Sequence, residues 1–272
     1  MEVMSDPKES AYRYDLFITP DWRDRFDSLV NEHIKIPREG LILDVNCGTG
    51  AHAIELAERM KGKGEVIGID PSAERIEIAR AKALVKKATD VKFQQGMASD
   101  LPFDSPRPDV VIGDASMTHA LEIPGVLGEL VRVARPEGRV ILKMTARGSF
   151  DEFFSVYWEA LHDTGMEDAV WAALECLINE RHTLSEADAM AERSGLRNIE
   201  SFKSKEEFSF ASARDFLEAP IIADYFLNEW IAIVPADRRE AVLERLRAII
   251  ERERNNAMFE VSIKAVVITG AK

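Results

Sequence analysis

Two glycines and an aspartate in the first third of the chain have the spacing of a nucleotide-binding site. Gly48 and Gly50 follow the apolar run 41–45, and glycine lets a ligand lie against the backbone because it has no Cβ. Asp70 stands twenty residues after Gly50, at the end of the next apolar run, where one carboxylate can accept from both hydroxyls of a ribose. A strand, a glycine turn and a helix in this order bring backbone N–H groups to the ligand-binding edge of a sheet. The pattern therefore predicts a nucleotide site at that edge.

The same residues have other interpretations. The glycines can serve only to turn a strand into a helix, and Asp70 can cap the helix that Pro71 begins. Residues 48–53 also satisfy the GxGxxG/A fingerprint of dinucleotide sites, so an NAD(P)-dependent oxidoreductase is a second candidate. Two observations oppose it. Asp44 precedes the turn on the first predicted strand, and no Tyr-x-x-x-Lys pair follows any of the four tyrosines.

The elements that must position these residues alternate between strand and helix. Strands are predicted over 41–45, 65–70, 91–95, 109–113 and 140–144, and helices over 51–60, 73–87 and 126–134. Because the strands are almost continuously apolar, they predict a parallel sheet covered on both faces. Later segments are predicted as helices over 150–158, 170–178, 185–194, 213–234 and 236–254, and as strands over 199–202, 207–210 and 259–268.

The composition and charge of the chain exclude several classes of protein and disfavour one class of partner. The 272 residues are 46% hydrophobic and 31% charged, which excludes a disordered or collagen-like chain. No apolar run is long enough for a bilayer, and residues 1–7 lack the features of a signal peptide, so we expect a cytoplasmic protein without a membrane span. The balance of 35 basic and 48 acidic residues gives a net charge of −13, which disfavours a nucleic-acid partner. The five histidines have no metal-ligand spacing, so no metal is expected.

Four motifs in order resemble the class I S-adenosylmethionine-dependent methyltransferases. They are LILDVNCGTG at 41–50, VIGIDPS at 66–72, GMASDLPF at 96–103 and LVRVARPEGRVIL at 130–142. They look most like the type-11 group, which includes the ubiquinone/menaquinone C-methyltransferases, and the resemblance covers about residues 41–145. It implies an α/β Rossmann-like fold with a seven-stranded, mostly parallel sheet, an antiparallel last strand and helical cap insertions. We expect a helical flap over 1–40, a cofactor-binding core over 41–145, a helical lid over 146–196, and late strands with an inserted helical pair over 197–272.

The resemblance also implies roles for individual residues toward S-adenosylmethionine. Asp44 would face the ammonium group of the cofactor, and the turn would receive its carboxylate through residues Asn46, Cys47, Gly48 and Gly50. Asp70 would take the ribose hydroxyls and Pro71 would lie beside the adenine. Asp114, after the fourth strand, would face the methionine portion or, alternatively, cap a helix.

Two positions depart from the family pattern. The family reads adenine with a Gly-Asp-Ala triplet, whereas this chain has Met97 before Ala98 and so lacks the carboxylate. Ser99, Asp100 or stacking on the Met97 thioether are the alternatives for holding the ring. Asn46 stands where many members of the family have a glycine.

Methyl transfer from a sulfonium is an in-line displacement, so the protein mainly aligns the reactants and excludes water. A hydroxyl acceptor would need a base, for which His119 is the first candidate, with a surface histidine as the alternative. Tyr14 on the flap would close over the cofactor unless it serves only as a hydrophobic staple. An apolar or aromatic acceptor pocket, or a helix core at the same spacing, is predicted from Phe150, Phe154, Tyr157 and Trp158.

The expected function is therefore methyl transfer from S-adenosylmethionine to a small, partly apolar or aromatic molecule. The alternatives are an NAD(P)-dependent oxidoreductase and a non-catalytic, regulatory protein that binds S-adenosylmethionine. The apolar face of the predicted helix around 237–247 would suit a homodimer.

Overall fold

A computed structural model of the chain describes residues 6–103, 108–255 and 257–272. Residues 1–5, on which the expectation of no signal peptide partly rests, lie outside the described residues. None of the helices in the described ranges combines the length and the apolar character that a bilayer crossing requires.

Within the described residues, seven strands form one sheet in the order β3-β2-β1-β4-β5-β7-β6. Strands β1 to β5 pair in parallel, and the last strands are antiparallel, which confirms the predicted fold class. The strand order changes direction at β1, because β2 and β3 lie on one side of β1 and β4 lies on the other. Open α/β sheets bind ligands at such a switch point. The strands are β1 (Gly40–Val45), β2 (Gly64–Asp70), β3 (Val91–Gln95), β4 (Val110–Ala115), β5 (Arg139–Ala146), β6 (Arg197–Phe210) and β7 (Phe259–Ala271).

Four helices of the described residues each lead into a strand of the sheet. They are α3 (Ala51–Met60), α4 (Ala73–Lys86), α5 (Ile123–Val133) and α8 (Leu184–Arg193). The predicted helix 51–60 is confirmed residue for residue. Helix α4 begins later than Pro71, because Ser72 is its N-cap and accepts a hydrogen bond from the Arg75 N–H.

The amino-terminal segment, predicted as a helical flap over 1–40, is more complex than a single helix. It contains α1 (Pro7–Arg13), a π-helix (Tyr14–Arg23) and α2 (Asp24–His33), which we call the flap helices. The π-helix contains Pro20, which has no N–H to donate, and the Asp24 N–H bonds five residues back to the Thr19 carbonyl. A π-helix of ten residues is unusual, because this winding normally occurs as a single turn and often at functional sites.

The chain divides into two compact units. The first contains residues 1–144, 184–204 and 265–272, and the second contains 145–183 and 205–264. Residues 184–196, predicted as part of a lid, group with the first unit. In the second unit lie α6 (Asp151–Asp163), α7 (Glu167–Asn179), α9 (Ala213–Leu217), α10 (Pro220–Tyr225), α11 (Leu227–Ala232) and α12 (Arg239–Glu253).

Two predictions for the later chain were wrong in detail. The predicted helix 213–234 is three short helices, because Pro220 begins a new helix and Phe226 has a non-helical backbone between the next two. The predicted strands 199–202 and 207–210 are one continuous strand, β6, because the polar residues between them lie on a half-exposed strand at the edge of the sheet.

Candidate functional site

The turn after β1 uses three left-handed residues to change direction. Asn46, Gly48 and Gly50 have φ angles of 57°, 58° and 79°. Asparagine tolerates this conformation better than most residues, and the Asn46 side chain donates to the Asp114 carbonyl at 2.8 Å. The departure from glycine at position 46 therefore preserves the turn and ties it to β4. Gly50 is the N-cap of α3, so the turn leads directly into a helix N-terminus.

Asp70 closes the turn from the end of β2. Its Oδ2 accepts from the Gly48 N–H at 2.9 Å, and its Oδ1 accepts from the Ser72 N–H at 3.0 Å. The side chain is buried, with the Arg75 guanidinium 3.9 Å away. Ser72, and not Asp70, caps α4, so the simple capping interpretation of Asp70 is wrong. Asp70 instead holds the backbone of both the turn and the helix N-cap.

Asp44 is the most unusual group in the site. It lies on β1 in the centre of the sheet, paired with Gly68 and Ile112, and its side chain is 0% exposed. Neither carboxylate oxygen has a hydrogen-bond partner among the described residues. Burial raises the pKa of Asp44, while Lys143 and His52 act to lower it. Because a buried carboxylate without donors is costly, Asp44 is suited to a ligand that brings a cation or hydrogen-bond donor.

Next to Asp44 is a buried cluster of charges that the sequence analysis missed. Lys143 on β5 contacts Asp27 Oδ1 at 2.5 Å and Asp114 Oδ2 at 3.1 Å. Arg23 Nε lies 3.0 Å from the same Asp114 oxygen. His52 Nδ1 lies 3.4 Å from Asp27 Oδ1. Of these residues, Asp114 was predicted from the sequence to face the cofactor, and Lys143 has a recognisable signal because it is a lysine inside the apolar run 140–144.

The charges in this cluster set the ionisation of its members. Burial acts to raise the pKa of Asp114, but Arg23, Lys143 and hydrogen bonds from Ser116 hold it at about 2. The pKa of Asp27 is also lowered, because nearby positive charge outweighs burial. Burial acts to lower the pKa of Lys143, but its carboxylate neighbours raise it overall. Both Asp27 and Asp114 are thus ionised and neutralised by cations, whereas no cation among the described residues contacts Asp44 directly.

Tyr14 lies directly on the glycine turn. A Cβ placed on Gly48 would be 2.7 Å from Tyr14 Cε1 and 3.0 Å from its hydroxyl oxygen. The hydroxyl accepts from Arg23 Nη1 at 2.7 Å, and the Arg75 guanidinium stacks 3.8 Å from the ring centroid. Burial raises the pKa of Tyr14. The structure therefore brings Tyr14 to the predicted site.

The remaining predicted cofactor residues differ in their surroundings. Cys47 is buried under the turn, and burial followed by the charges of Asp44 and Asp70 raises its pKa, so its thiol is not an activated nucleophile. The Gly96 N–H donates to the Asp70 carbonyl at 3.1 Å, which brings the 96–98 segment beside Asp70. There Met97 is 57% exposed, Ala98 is buried, and Pro71 is exposed nearby on the sheet edge.

Asp114 and His119 follow β4. Asp114 Oδ1 accepts from the Ser116 N–H and hydroxyl at 2.9 and 2.6 Å, and α5 begins only at Ile123, so Asp114 is not a helix cap. His119 is exposed in the loop before α5, where its Nδ1 accepts from the Leu121 N–H at 3.3 Å. In a neutral ring this bond places the proton on Nε2, so Nε2 would donate rather than accept.

The residues predicted to bind the acceptor belong to the second unit. Phe150, Phe154 and Tyr157 are buried, and they pack with Phe153 and Trp230 in an aromatic cluster. The Tyr157 hydroxyl donates to the Trp230 carbonyl at 2.9 Å. This packing supports the alternative interpretation of the aromatic stripe as core.

Trp158 is the member of the predicted acceptor group that reaches the surface. It is 43% exposed, and it stacks on His162 with ring centroids 5.5 Å apart. Of the four aromatic residues, it alone keeps a side chain available to a ligand.

Comparison with known proteins agrees with this geometry. Residues 38–150 match the model of a methyltransferase domain. The demethylmenaquinone methyltransferase of Lactococcus lactis is 35% identical over 121 residues, which cover 43% of this chain and 48% of that protein. The enzyme of the same name from Bacillus licheniformis is 28% identical over 189 residues, covering 66% of this chain and 78% of its own. For the first of these, as for several others, the chain spans about half the length of the curated relative that it matches.

Two solved structures share the fold. The YcgJ protein from Bacillus subtilis superposes with a TM-score of 0.58 at 22% identity, covering 92% of this chain and 98% of its own. Phosphoethanolamine N-methyltransferase 2 from Haemonchus contortus gives a TM-score of 0.58 at 15% identity, over 100% of this chain and 59% of that enzyme. The glycine turn, Asp44 and Asp70 lie at the switch point of a seven-stranded sheet, and residues 38–150 match a methyltransferase domain, so this part of the chain is similar to the class I S-adenosylmethionine-dependent methyltransferases.

Proposed function

We propose that this protein transfers a methyl group from S-adenosylmethionine to a small, partly apolar or aromatic acceptor. The observation that carries the proposal is the pair of buried carboxylates on either side of the glycine turn. Asp44 has no hydrogen-bond donor among the described residues, and Asp70 holds the Gly48 N–H at 2.9 Å. Because the relatives with 35% and 28% identity are demethylmenaquinone methyltransferases, the finer proposal is a quinone-type acceptor in its reduced form.

The residues of the site fit this cofactor. Asp44 supplies the buried negative charge that the α-ammonium of a methionine group requires. Asp70 lies at the end of β2 with its carboxylate turned to the Gly48 backbone, where it can also accept from ribose hydroxyls. Met97 offers an exposed thioether next to Asp70, which suits stacking on adenine in place of the family's carboxylate.

When bound, S-adenosylmethionine supplies a methyl group on a positively charged sulfur, which a nucleophile displaces in line. The protein's own residues then have two tasks. The turn and the two carboxylates orient the cofactor. His119 is proposed to hold or relay the proton of the methyl acceptor. Its Nδ1 would then have to release the Leu121 N–H and bind the methyl acceptor instead.

The experiment compares ligands and then turnover. Isothermal titration calorimetry with S-adenosylhomocysteine and with NADH is expected to give binding of the first compound alone. Turnover is then followed by mass spectrometry, with S-adenosylmethionine and a panel of reduced quinones that includes a short-chain demethylmenaquinol. A product heavier by one methylene unit supports the proposal. Binding of NADH alone would replace it with an oxidoreductase, and binding of S-adenosylhomocysteine without turnover of any acceptor would favour a regulatory protein.

The cytoplasmic location and the homodimer remain predictions. Size-exclusion chromatography with light scattering addresses the oligomeric state, and cell fractionation addresses the location.

A further inference from the structure

A small cavity lies between the flap helices and the glycine turn. The cavity there measures about 10 Å³, and it is lined by Tyr14, Thr19, Arg23, Asp27, Cys47, Ala51 and His52. A volume of this size holds about one water molecule. Four of its lining residues, Tyr14, Thr19, Arg23 and Asp27, come from the flap helices. Tyr14 is the most direct obstacle, since its ring touches the Gly48 backbone.

The flap helices are attached to the turn by specific polar contacts. Arg23 Nη2 donates to the Asn46 carbonyl at 2.7 Å, and Arg23 Nε pairs with Asp114 at 3.0 Å. Trp22 Nε1 donates to the Ser116 hydroxyl at 2.9 Å. These groups lie on the turn, on β4 and just after β4, so the π-helix bonds across the ligand-binding edge of the sheet.

A second set of contacts joins the flap to the start of α3 and to α4. The Thr19 and Thr49 hydroxyl oxygens are 3.3 Å apart, and Thr49 also donates to Asp15. Lys82 on α4 pairs with Asp15 at 2.6 Å. This last pair is half-buried and touches none of the carboxylates proposed to hold the cofactor.

The flap contains a segment whose helical winding differs from that of its neighbours. The ten residues that bear Tyr14, Trp22 and Arg23 form the π-helix, a less common winding than the α-helices on either side. Rewinding part of this segment as α-helix would turn its side chains relative to the sheet without unfolding α1 or α2. The polar contacts of Trp22 and Arg23 would be exchanged for water at the same time.

We infer that the flap helices form a gate that occupies the cofactor site, and that S-adenosylmethionine binds only after Tyr14 and the rest of the π-helix lift from the glycine turn. The inference rests on the proposed function. The gate lowers the measured affinity by the fraction of molecules in which it is open. Contacts that hold the flap down therefore oppose binding, and removing them tightens it. A lid that only clamps a bound cofactor would behave in the opposite way, since losing its contacts weakens binding.

The first test asks whether removing a flap contact tightens or weakens cofactor binding. Lys82→Ala removes the contact between α4 and Asp15, and Trp22→Phe removes the hydrogen bond to Ser116. Each variant is expected to bind S-adenosylhomocysteine about two- to fivefold more tightly, with a higher association rate in stopped-flow measurements. The matched control is Lys92→Ala, which breaks a 2.6 Å pair with Glu65 away from the flap and is expected to leave the affinity unchanged. Weaker binding by both Lys82→Ala and Trp22→Phe would overturn the gate.

A reversible lock is the second test. The double variant Thr19→Cys/Thr49→Cys replaces the two hydroxyls that lie 3.3 Å apart with thiols, so that a disulfide can pin the flap to the turn. The oxidised variant, with bridge formation checked by mass spectrometry, is expected to lose at least a hundredfold in affinity for S-adenosylhomocysteine and to regain it on reduction. The wild-type chain under the same oxidant controls for Cys47 and Cys176.

The two tests separate the gate from the proposed function. If the oxidised and reduced double variants bind equally well, cofactor reaches the site with the flap pinned, and the gate is wrong. If the wild-type chain itself does not bind S-adenosylhomocysteine, the proposed function fails. Binding by the wild-type chain with loss on oxidation of the double variant supports both.

Discussion

Asp70 and Gly48 are joined across two strands by a hydrogen bond from the Gly48 N–H to Asp70 Oδ2 at 2.9 Å. The other Asp70 oxygen accepts from the Ser72 N–H, so one carboxylate sets both the turn after β1 and the start of the helix after β2. The acid expected to hold a ribose therefore also shapes the turn beside it. A substitution at position 70 is therefore expected to change the turn geometry together with the proposed ribose contact.

Replacing Asp70 tests this double role. Asp70→Ala is expected to weaken S-adenosylhomocysteine binding by about 2–4 kcal/mol, at least thirtyfold, because both ribose contacts and the Gly48 bond are lost. Asp70→Asn retains one acceptor oxygen and should lose less. Titration calorimetry gives both affinities, and chemical unfolding reports any change in the fold. A loss below threefold for Asp70→Ala would limit the residue to holding the backbone.

Asp44 is expected to contribute to binding at the expense of stability. Burial raises the pKa of Asp44 in the folded protein above that of a free aspartate. Ionising the carboxyl as the pH rises therefore lowers the free energy of unfolding. Asp44→Asn should therefore be more stable than the wild-type chain at pH 7, and the difference should shrink as the pH falls to about 3, below the range where a free aspartate titrates. The same variant should lose at least tenfold in affinity for S-adenosylhomocysteine, because the ammonium loses its charged partner.

Urea unfolding at the two pH values checks the stability of Asp44→Asn, and calorimetry checks its affinity. A cofactor analogue without the amino acid, 5′-methylthioadenosine, is the control, since its affinity should not change. If Asp44→Asn weakens both ligands equally, Asp44 acts on the turn and does not contact the ammonium.

Asp114 is expected to stabilise the fold in a pH-dependent way. Arg23 and Lys143 depress its folded pKa to about 2, below the ordinary value near 4. The stabilisation is fully present above about pH 4 and is lost as the pH falls toward 2, and it amounts to roughly 2 kcal/mol. Asp114→Asn should be less stable at pH 7 and should show a shallower loss of stability between pH 4 and 2. Urea titrations across this range test the slope, and parallel curves for the two proteins would contradict the assignment.

Two aromatic substitutions in the second unit distinguish a residue of the hydrophobic core from a residue that would bind the methyl acceptor. Phe154→Ala removes a buried ring from the aromatic cluster and is expected to cost about 3–5 kcal/mol in stability. Trp158→Ala, at an exposed ring, should cost under about 1 kcal/mol. If Trp158 binds the acceptor, its variant raises KM for a reduced quinone while the melting temperature stays nearly constant. An unchanged KM would leave Trp158 as a surface residue.

His119→Ala addresses proton transfer. With a hydroxyl acceptor it is expected to lower kcat by about 10²- to 10⁴-fold, with S-adenosylhomocysteine affinity unchanged, because the residue is exposed after β4 and away from the turn's hydrogen bonds. Unchanged turnover with a methylated acceptor in hand would remove His119 from the mechanism.

Several features followed from the sequence alone. The strands β1 to β5, helix α3, the glycine turn and the position of Asp70 are encoded by local patterns, namely apolar runs, helical periodicity and residues that tolerate left-handed backbone. Such patterns act over a few residues, so they need no knowledge of the rest of the chain. They were sufficient to predict the sheet, and they indicate the edge at which we propose the cofactor site.

The surroundings of the site were decided by tertiary structure. Lys143 meets Asp27 across 116 positions of sequence, and Arg23 reaches Asp114 from another element, so no local spacing could reveal the buried charge cluster. The aromatic stripe has the same periodicity whether it lines a pocket or fills a core, and only packing against Trp230 distinguishes the two. The π-helix places Tyr14 on Gly48 because the flap bonds to a turn more than twenty residues away. Local propensity fixed which elements form, whereas burial and charge pairing between distant residues fixed what surrounds the site.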